Sequence, residues 1–195
     1  MGSSGDARGL RDRKKLRTRE TIRNEAIRLI ERNGYASTTV EQIAEAADIS
    51  PSTFFRYFPS KEAVLMGDEL DRVTISALEQ QPADLTTLQA FRRAVEATMV
   101  TLSESDWSFE RKRLRLVFSV PELKSAQLDE YQRTIVGLAD AECRRTGRPT
   151  GHLKTLIYFG ALAGGLVAVL DTEPAAWVDR MLYALDFMEA GMQLP

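Results

Sequence analysis

The sequence predicts an all-α protein of about nine helices, three short ones ahead of six longer ones. Three observations predict it. Apolar residues recur at three- and four-residue spacing along nearly the whole chain, with no β-pattern between them. Breakers fall at helix-length intervals: Asn33-Gly34, Asp48-Ile49, Gln81-Pro82, Pro121, residues 146–151 (TGRPTG) and Pro174. A chain of 195 residues, 44% hydrophobic and 28% charged, has the length and composition of one large or two small globular domains rather than of a disordered polymer.

Residues 1–12 begin small, polar and Gly/Ser-rich, and are expected to form a flexible tail. From about Arg13 the pattern turns helical, with Ile22, Ala26, Leu29 and Ile30 on one face, and Gly34 offers a left-handed cap. Thr38 and Thr39 supply cap hydroxyls for a second helix over roughly Val40 to Ala47, with Glu41 and Gln42 completing a capping box. Asp48-Ile49 turns, Ser50 caps, and Pro51 opens a third helix where its missing N–H costs nothing. Ser60 then caps a helix expected to run to about Gln80. Asp84 or Thr86 starts one reaching about Ser103, and two more follow over residues 107–120 and 122–146, parted by Pro121. The last two are expected from His152 to Asp171 and from Ala175 to about Ala190.

Charge divides the chain. The total is −2, which taken alone argues against a polyanion binder, but residues 1–65 carry +3 and the remainder −5. Within residues 8–32 ten positive charges meet four negative ones. A basic arm on an acidic body is a sign of polyanion binding, although a long solvated helix carries similar charge. One Cys and one His exclude a disulfide framework and a Cys/His zinc module. The longest apolar run, Leu156 to Leu170, is too short for a membrane span, and no secretory pattern opens the chain, so a cytoplasmic protein is expected, without membrane or cofactor.

Two short helices joined by a tight turn fit a helix-turn-helix, whose second helix enters the DNA major groove; they also fit a plain surface turn with core aromatics. On a helical wheel Phe54 and Phe58 face one way. Arg56 lies opposite, beside Ser52 and Thr53, with Phe55 and Tyr57 on the flanks. A guanidinium fork, hydroxyls and aromatic edges suit guanine, thymine methyl and phosphate contacts. More specific are Thr18-Arg19-Glu20-Thr21-Ile22, Asn33-Gly34-Tyr35, Thr38-Thr39-Val40-Glu41-Gln42-Ile43-Ala44 and the unbroken run from Ser50 to Glu62 (SPSTFFRYFPSKE). In order, spacing and residue type these resemble the DNA-binding domain of the tetracycline-repressor (TetR) family, over about residues 17–65. Asp48 stands where many members carry Gly, and Phe55 where many carry Tyr.

The resemblance implies a homodimeric regulator, with a DNA-binding domain at 13–60 and a ligand-binding and dimerisation domain at 61–195. Ser52, Thr53 and Arg56 would read bases in double-stranded operator DNA, with Phe55 packing beside them. Thr39 and Tyr57 would anchor the backbone, Thr38 and Ser50 would belong to the same DNA-binding set, Lys61 would contact a phosphate at the start of the fourth helix, and Arg17 and Arg19 would track the flanking strand. Arg8 or Arg11 would reach a minor groove. The effector is expected to be a small hydrophobic molecule held among Met66, Phe91, Met99, Trp107, Phe109, Leu114, Phe118, Tyr131 and Phe159. The last two helices would form the dimer interface, through Tyr158, Ala161, Gly164, Gly165, Ala168, Trp177, Met181, Leu185 and Met188, since small residues let a partner helix approach closely.

Residues 111–123 (RKRLRLVFSVPEL) also resemble a subgroup associated with acyl-CoA-like ligands, and the same cluster suits a solvated helix face. Two other functions compete: a helical activator rather than a repressor, and an all-α enzyme using His152. The enzyme lacks support, because neither His152 nor Cys143 has sequence neighbours that make a base, an orienter or an oxyanion site, and no phosphate loop or dinucleotide fingerprint occurs.

Overall fold

A computed structural model describes residues 4–66, 68–172 and 176–192. Among them are nine α-helices and one short 3-10 turn, and no strand. The chain divides into two compact units, with the boundary between Met66 and Gly67.

The N-terminal unit holds α1 (Ser4–Asn33), α2 (Val40–Ala46), α3 (Pro51–Tyr57) and the 3-10 turn Glu62–Val64. Its core is small and aromatic: Ile22 and Ala26 of α1, Ile43 and Ala44 of α2, Phe54 and Phe58 at α3, and Val64. Burying such a side chain contributes about 1.5–3 kcal/mol, so these few residues hold α2 and α3, which at seven residues each would not persist alone, against the long α1. Local signals set the boundaries. Gly34 takes φ +82° and its N–H donates to Ile30 O, closing α1. Thr39 caps α2 in a capping box with Gln42, and Ser50 caps α3 ahead of Pro51.

Two expectations need correction here. The backbone of residues 4–12, expected to be a flexible tail, is helical and continuous with α1. Residues 6–12 (DARGLRD) contain helix formers and no proline, and an existing helix propagates through a glycine at a cost of about 1 kcal/mol rather than stopping. Residues 1–3 and the side chains of Arg8 and Arg11 lie outside the described residues. Nor does a long helix start at Ser60. The Ser60 hydroxyl does accept from Ala63 N–H, but it caps only the 3-10 turn. Val64 and Leu65 are fully buried, and Tyr35 donates its hydroxyl to Glu62, so residues 61–66 belong to the N-terminal unit and the domain boundary moves from 60 to 66.

The C-terminal unit contains α4 (Asp68–Glu79), α5 (Thr87–Val100), α6 (Glu104–Ser119), α7 (Pro121–Arg145), α8 (Leu153–Thr172) and α9 (Trp177–Glu189). The long α7 packs against α4, α6 and α8, while α9 packs on α8 and α5. Capping boxes at Thr86/Gln89 and Ser103/Asp106 start α5 and α6, and Pro121 opens α7. Gly137 lets α7 approach α4: a Cβ there would lie 2.7 Å from Ile75 Cδ1. Where α7 meets the α4–α5 connection, Glu142 and Arg145 are buried as a bidentate pair, 2.7 and 2.8 Å apart. Thr87 donates to the same carboxylate at 2.7 Å, and Arg145 also donates to the carbonyls of Pro82 and Leu85, so no charge there is left unmatched. Pro174 and Ala175, expected to open the last helix, lie outside the described residues; α9 starts at Trp177.

Candidate nucleic-acid interface and effector cavity

The turn between α2 and α3 makes the first candidate site. Asp48 adopts φ +53°, a left-handed conformation that a short polar side chain tolerates, and the Ile49 N–H donates to Ala44 O at 2.9 Å. This turn sets α3 with Phe54 and Phe58 inward and Ser52, Phe55 and Arg56 exposed. Phe55 leaves 54% of its surface in solvent, an apolar edge that core packing does not explain. Three hydroxyls cluster at the N-terminus of α3: Ser50 lies 2.9 Å from Ser52 and 3.0 Å from Thr53, and accepts from the Thr53 N–H. Thr39 is exposed at the start of α2, Tyr57 is half-buried with the Arg56 guanidinium beside its ring, and Arg17 is exposed on α1. These groups share the chemistry of groove and phosphate contacts.

Three residues expected on this face are engaged inside the unit. Thr38 is buried and its hydroxyl donates to Gly34 O at 2.9 Å, because it closes the turn after α1; it is not part of the exposed set. Arg19 donates to Tyr57 O at 3.1 Å with its guanidinium 4.3 Å from the Phe58 ring centre, and so braces α1 against the end of α3. Lys61 does not open α4. Its ammonium donates to Tyr35 O at 2.7 Å and Thr38 O at 2.8 Å, over the Tyr35 ring, tying the 3-10 turn to the α1–α2 connection.

The second candidate site is a cavity of about 190 Å³ within the C-terminal unit. Phe91, Met99, Leu114, Tyr131 and Phe159 line it, as the sequence suggests, together with Leu138, Leu162 and Leu166. Four other expected residues do not. Met66 is buried in the N-terminal unit because the chain folds back there; Trp107 stacks behind the wall on Trp177, 5.5 Å between rings; Phe118 packs on the outside of the core; and Phe109 is half-exposed on α6.

One wall of the cavity is polar, and sequence reading missed most of it. Arg113 is buried with its Nε 2.6 Å from Glu110 Oε2. Asp71 accepts from the Thr134 hydroxyl at 2.7 Å, and burial pushes its carboxyl up to about 6, with the Thr134 bond and Arg113 opposing the rise and Glu130 and Glu110 adding to it. Gln127 is buried on the same wall, and its Oε1 has no hydrogen-bond partner among the described residues. The available signal was a polar residue at a core position. Gln127 and Thr134 interrupt the inward stripe of α7 between Leu123 and Leu138, as Glu110 and Arg113 interrupt that of α6 before Leu114 and Val117. The basic run is split accordingly, with Arg113 inward and Lys112 and Arg115 exposed.

The expected dimer residues divide too. Tyr158, Ala161, Gly164 and Ala168 are exposed and form one stripe of α8 with Leu153 and Ile157, 66% and 61% exposed. Trp177, Met181 and Leu185 are buried, and Trp177 and Met181 line the cavity, because their four-residue spacing forms the inward face of α9. Gly165 is filled by Met188, whose Cε would lie 2.5 Å from a Cβ there, so that pair joins α8 to α9 within the chain. His152 caps α8, with Nδ1 3.1 Å from the Thr155 hydroxyl, and Cys143 is buried in the core. No helix among the described residues is long and apolar enough to cross a membrane.

Comparison with known proteins agrees with this division. Residues 22–66 match the family model described as bacterial regulatory proteins, tetR family, and residues 85–193 match the MftR C-terminal domain. The chain belongs to the TetR family. The transcriptional regulator TcmR of Streptomyces glaucescens is 39% identical over 138 residues, covering 67% of this chain and 59% of TcmR. The regulator EthR of Mycolicibacterium smegmatis is 32% identical over 163 residues, covering 76% of this chain and 74% of EthR. The solved structure of SmeT, repressor of the Stenotrophomonas maltophilia multidrug efflux pump SmeDEF, has the same fold at a TM-score of 0.55, with 20% identity and 89% of each chain covered. The protein is a TetR-family transcriptional regulator, not an enzyme.

Proposed function

We propose that this TetR-family member is a cytoplasmic repressor that binds a palindromic operator as a homodimer and is released by a small, largely apolar effector in the C-terminal cavity. The observation that carries the DNA reading is the exposed face of α3, where Ser52, Phe55 and Arg56 project from a helix anchored by Phe54 and Phe58. Arg56 and the hydroxyls read base edges, while Arg17, Thr39 and Tyr57 contact the backbone. The exposed stripe of α8 supports a dimer: Leu153, Ile157 and Tyr158 supply apolar surface, and a Cβ at Gly160 or Gly164 would meet nothing within 4 Å, which leaves room for a partner helix.

Effector response follows from connectivity. Asp71 and Thr74 of α4 line the cavity, and α4 begins directly after the DNA-binding unit. A ligand shifts the regulator only as far as it prefers one arrangement of the dimer over another. Fluorescence anisotropy with operator DNA selected from genomic fragments tests the reading. Arg56→Ala should lose sequence preference, each lost base contact costing about 1–3 kcal/mol of discrimination, and Arg17→Ala should weaken binding to all sequences and shallow the salt dependence. Identical salt slopes and identical preferences in the two variants would overturn the assignment.

A further inference from the structure

The cavity carries more polar function than a purely greasy pocket needs. Two of its buried polar atoms lack partners among the described residues: Oε1 of Gln127, on α7, and the indole N–H of Trp177, on α9. Gln127 leaves 6% of its surface exposed and Trp177 9%, so bulk water does not serve them. An unmet buried amide is costly, and a folded core retains one where something else completes it. The surroundings limit what that is. Lining the same cavity as Gln127 are the carboxylates of Asp71 and Glu110 and one cation, Arg113, bonded to Glu110. That wall carries more negative than positive charge and repels an anionic head group. The rest of the lining is mainly apolar, with the Thr74 and Thr98 hydroxyls, bonded to each other at 3.1 Å, and Tyr131 set among leucines, valines and aromatics.

From this polar wall we infer that the effector is an uncharged molecule with an apolar body and a hydroxyl group, an alcohol or phenol, bound by Gln127 and Asp71, with the Trp177 N–H donating to a second oxygen on the same body. A hydroxyl fits because it both donates and accepts: it gives its proton to the carboxylate or the amide oxygen and accepts from the amide N–H. A side-chain amide presents either end, so the neighbouring carboxylates, not Gln127 alone, exclude an anion. This assignment rests on the cavity being the effector site.

Isothermal titration of the full chain at about neutral pH with naphthol, its methyl ether and naphthoate separates the two claims. Naphthol should bind at least about tenfold tighter than the ether, which keeps the body and loses the donor, and naphthoate should bind weakest. Gln127→Leu, which removes the unmet amide at similar volume, should bring naphthol and ether within about threefold of each other. Asp71→Asn, which keeps an acceptor for Thr134, should raise naphthoate affinity. Equal binding of all three to the wild type, unchanged by Gln127→Leu, overturns the hydroxyl assignment and leaves the cavity as a ligand site. Binding of none of the three, or binding that survives the cavity-filling Ala163→Phe, overturns the cavity as the effector site and the hydroxyl assignment with it.

Discussion

The C-terminal unit buries two Glu–Arg pairs of the same i,i+3 spacing, and they are finished differently. At one end Arg145 meets both oxygens of Glu142 and two backbone carbonyls, and Thr87 gives the carboxylate a third donor. At the cavity, Arg113 meets Glu110, but Asp71 adds a second carboxylate nearby and Gln127 is left unmet. A saturated ion pair fixes geometry. An unmet buried amide beside empty space, as at Gln127, is a place where binding free energy is available, because a ligand relieves a cost the fold already carries.

The largest expected effect breaks the saturated end. Arg145→Ala leaves Glu142 buried without its cation and two carbonyls without a donor, a loss of about 3–5 kcal/mol in urea unfolding. Arg145→Met alone should also destabilise, whereas the double change Glu142→Leu with Arg145→Met should recover much of the loss, since replacing both charges by apolar groups is often near neutral. A double variant no more stable than Arg145→Ala would show that the carbonyl contacts to Pro82 and Leu85, not the ion pair, hold the α4–α5 connection.

At the cavity end the expected sign reverses. The Asp71 carboxyl is raised from 3.8 to about 6 in the fold, so its protonated form is the favoured one. Asp71 therefore supports the fold below about pH 4, loses that support as pH rises, and above pH 6 costs at most about 3 kcal/mol. Asp71→Asn should be more stable than wild type at pH 7, with the gap closing between pH 6 and pH 4. Parallel stability curves for the two proteins across that range would show that Asp71 is solvated and not penalised.

How much of this was legible in the sequence differs between the two units for a physical reason. The N-terminal unit is built from local signals: the Thr39–Gln42 box, Ser50-Pro51, Gly34 and Asp48 each act within four residues, so spacing alone places them. What escaped were the long-range bonds. Arg19 and Lys61 look like surface contacts until the fold brings Tyr57 and Tyr35 to them, while Thr38 is turned inward by a local bond to Gly34, four residues before it. The cavity depends on contacts between six helices, and the spacing of Trp177, Met181 and Leu185 identifies one face of α9 without saying whether that face meets a partner or its own core. Gln127, Glu110 and Arg113 were readable as polar interruptions of apolar stripes, a weaker signal that a solvated face also produces.

A contrast between an engaged and a solvent-exposed cation appears on a smaller scale in the N-terminal unit. Lys61→Ala removes two charge-assisted bonds to backbone carbonyls and a cation over the Tyr35 ring, and should lower stability by about 1–3 kcal/mol while weakening DNA binding in proportion to unfolding. Lys61→Arg should not rescue it, because a planar fork does not reproduce the reach of an ammonium to carbonyls on either side of one turn. Arg56→Ala, at an exposed side chain whose guanidinium lies 5.9 Å from the centre of the half-buried Tyr57 ring, should change stability by no more than about 0.5 kcal/mol and yet alter sequence preference on DNA. Measured together by thermal unfolding and anisotropy, the two substitutions should fall on different axes: stability for the lysine, discrimination for the arginine. If Lys61→Ala kept wild-type stability and lost DNA affinity with a shallower salt slope, its ammonium would be contacting phosphate, and the bonds to Tyr35 and Thr38 would serve only to aim it.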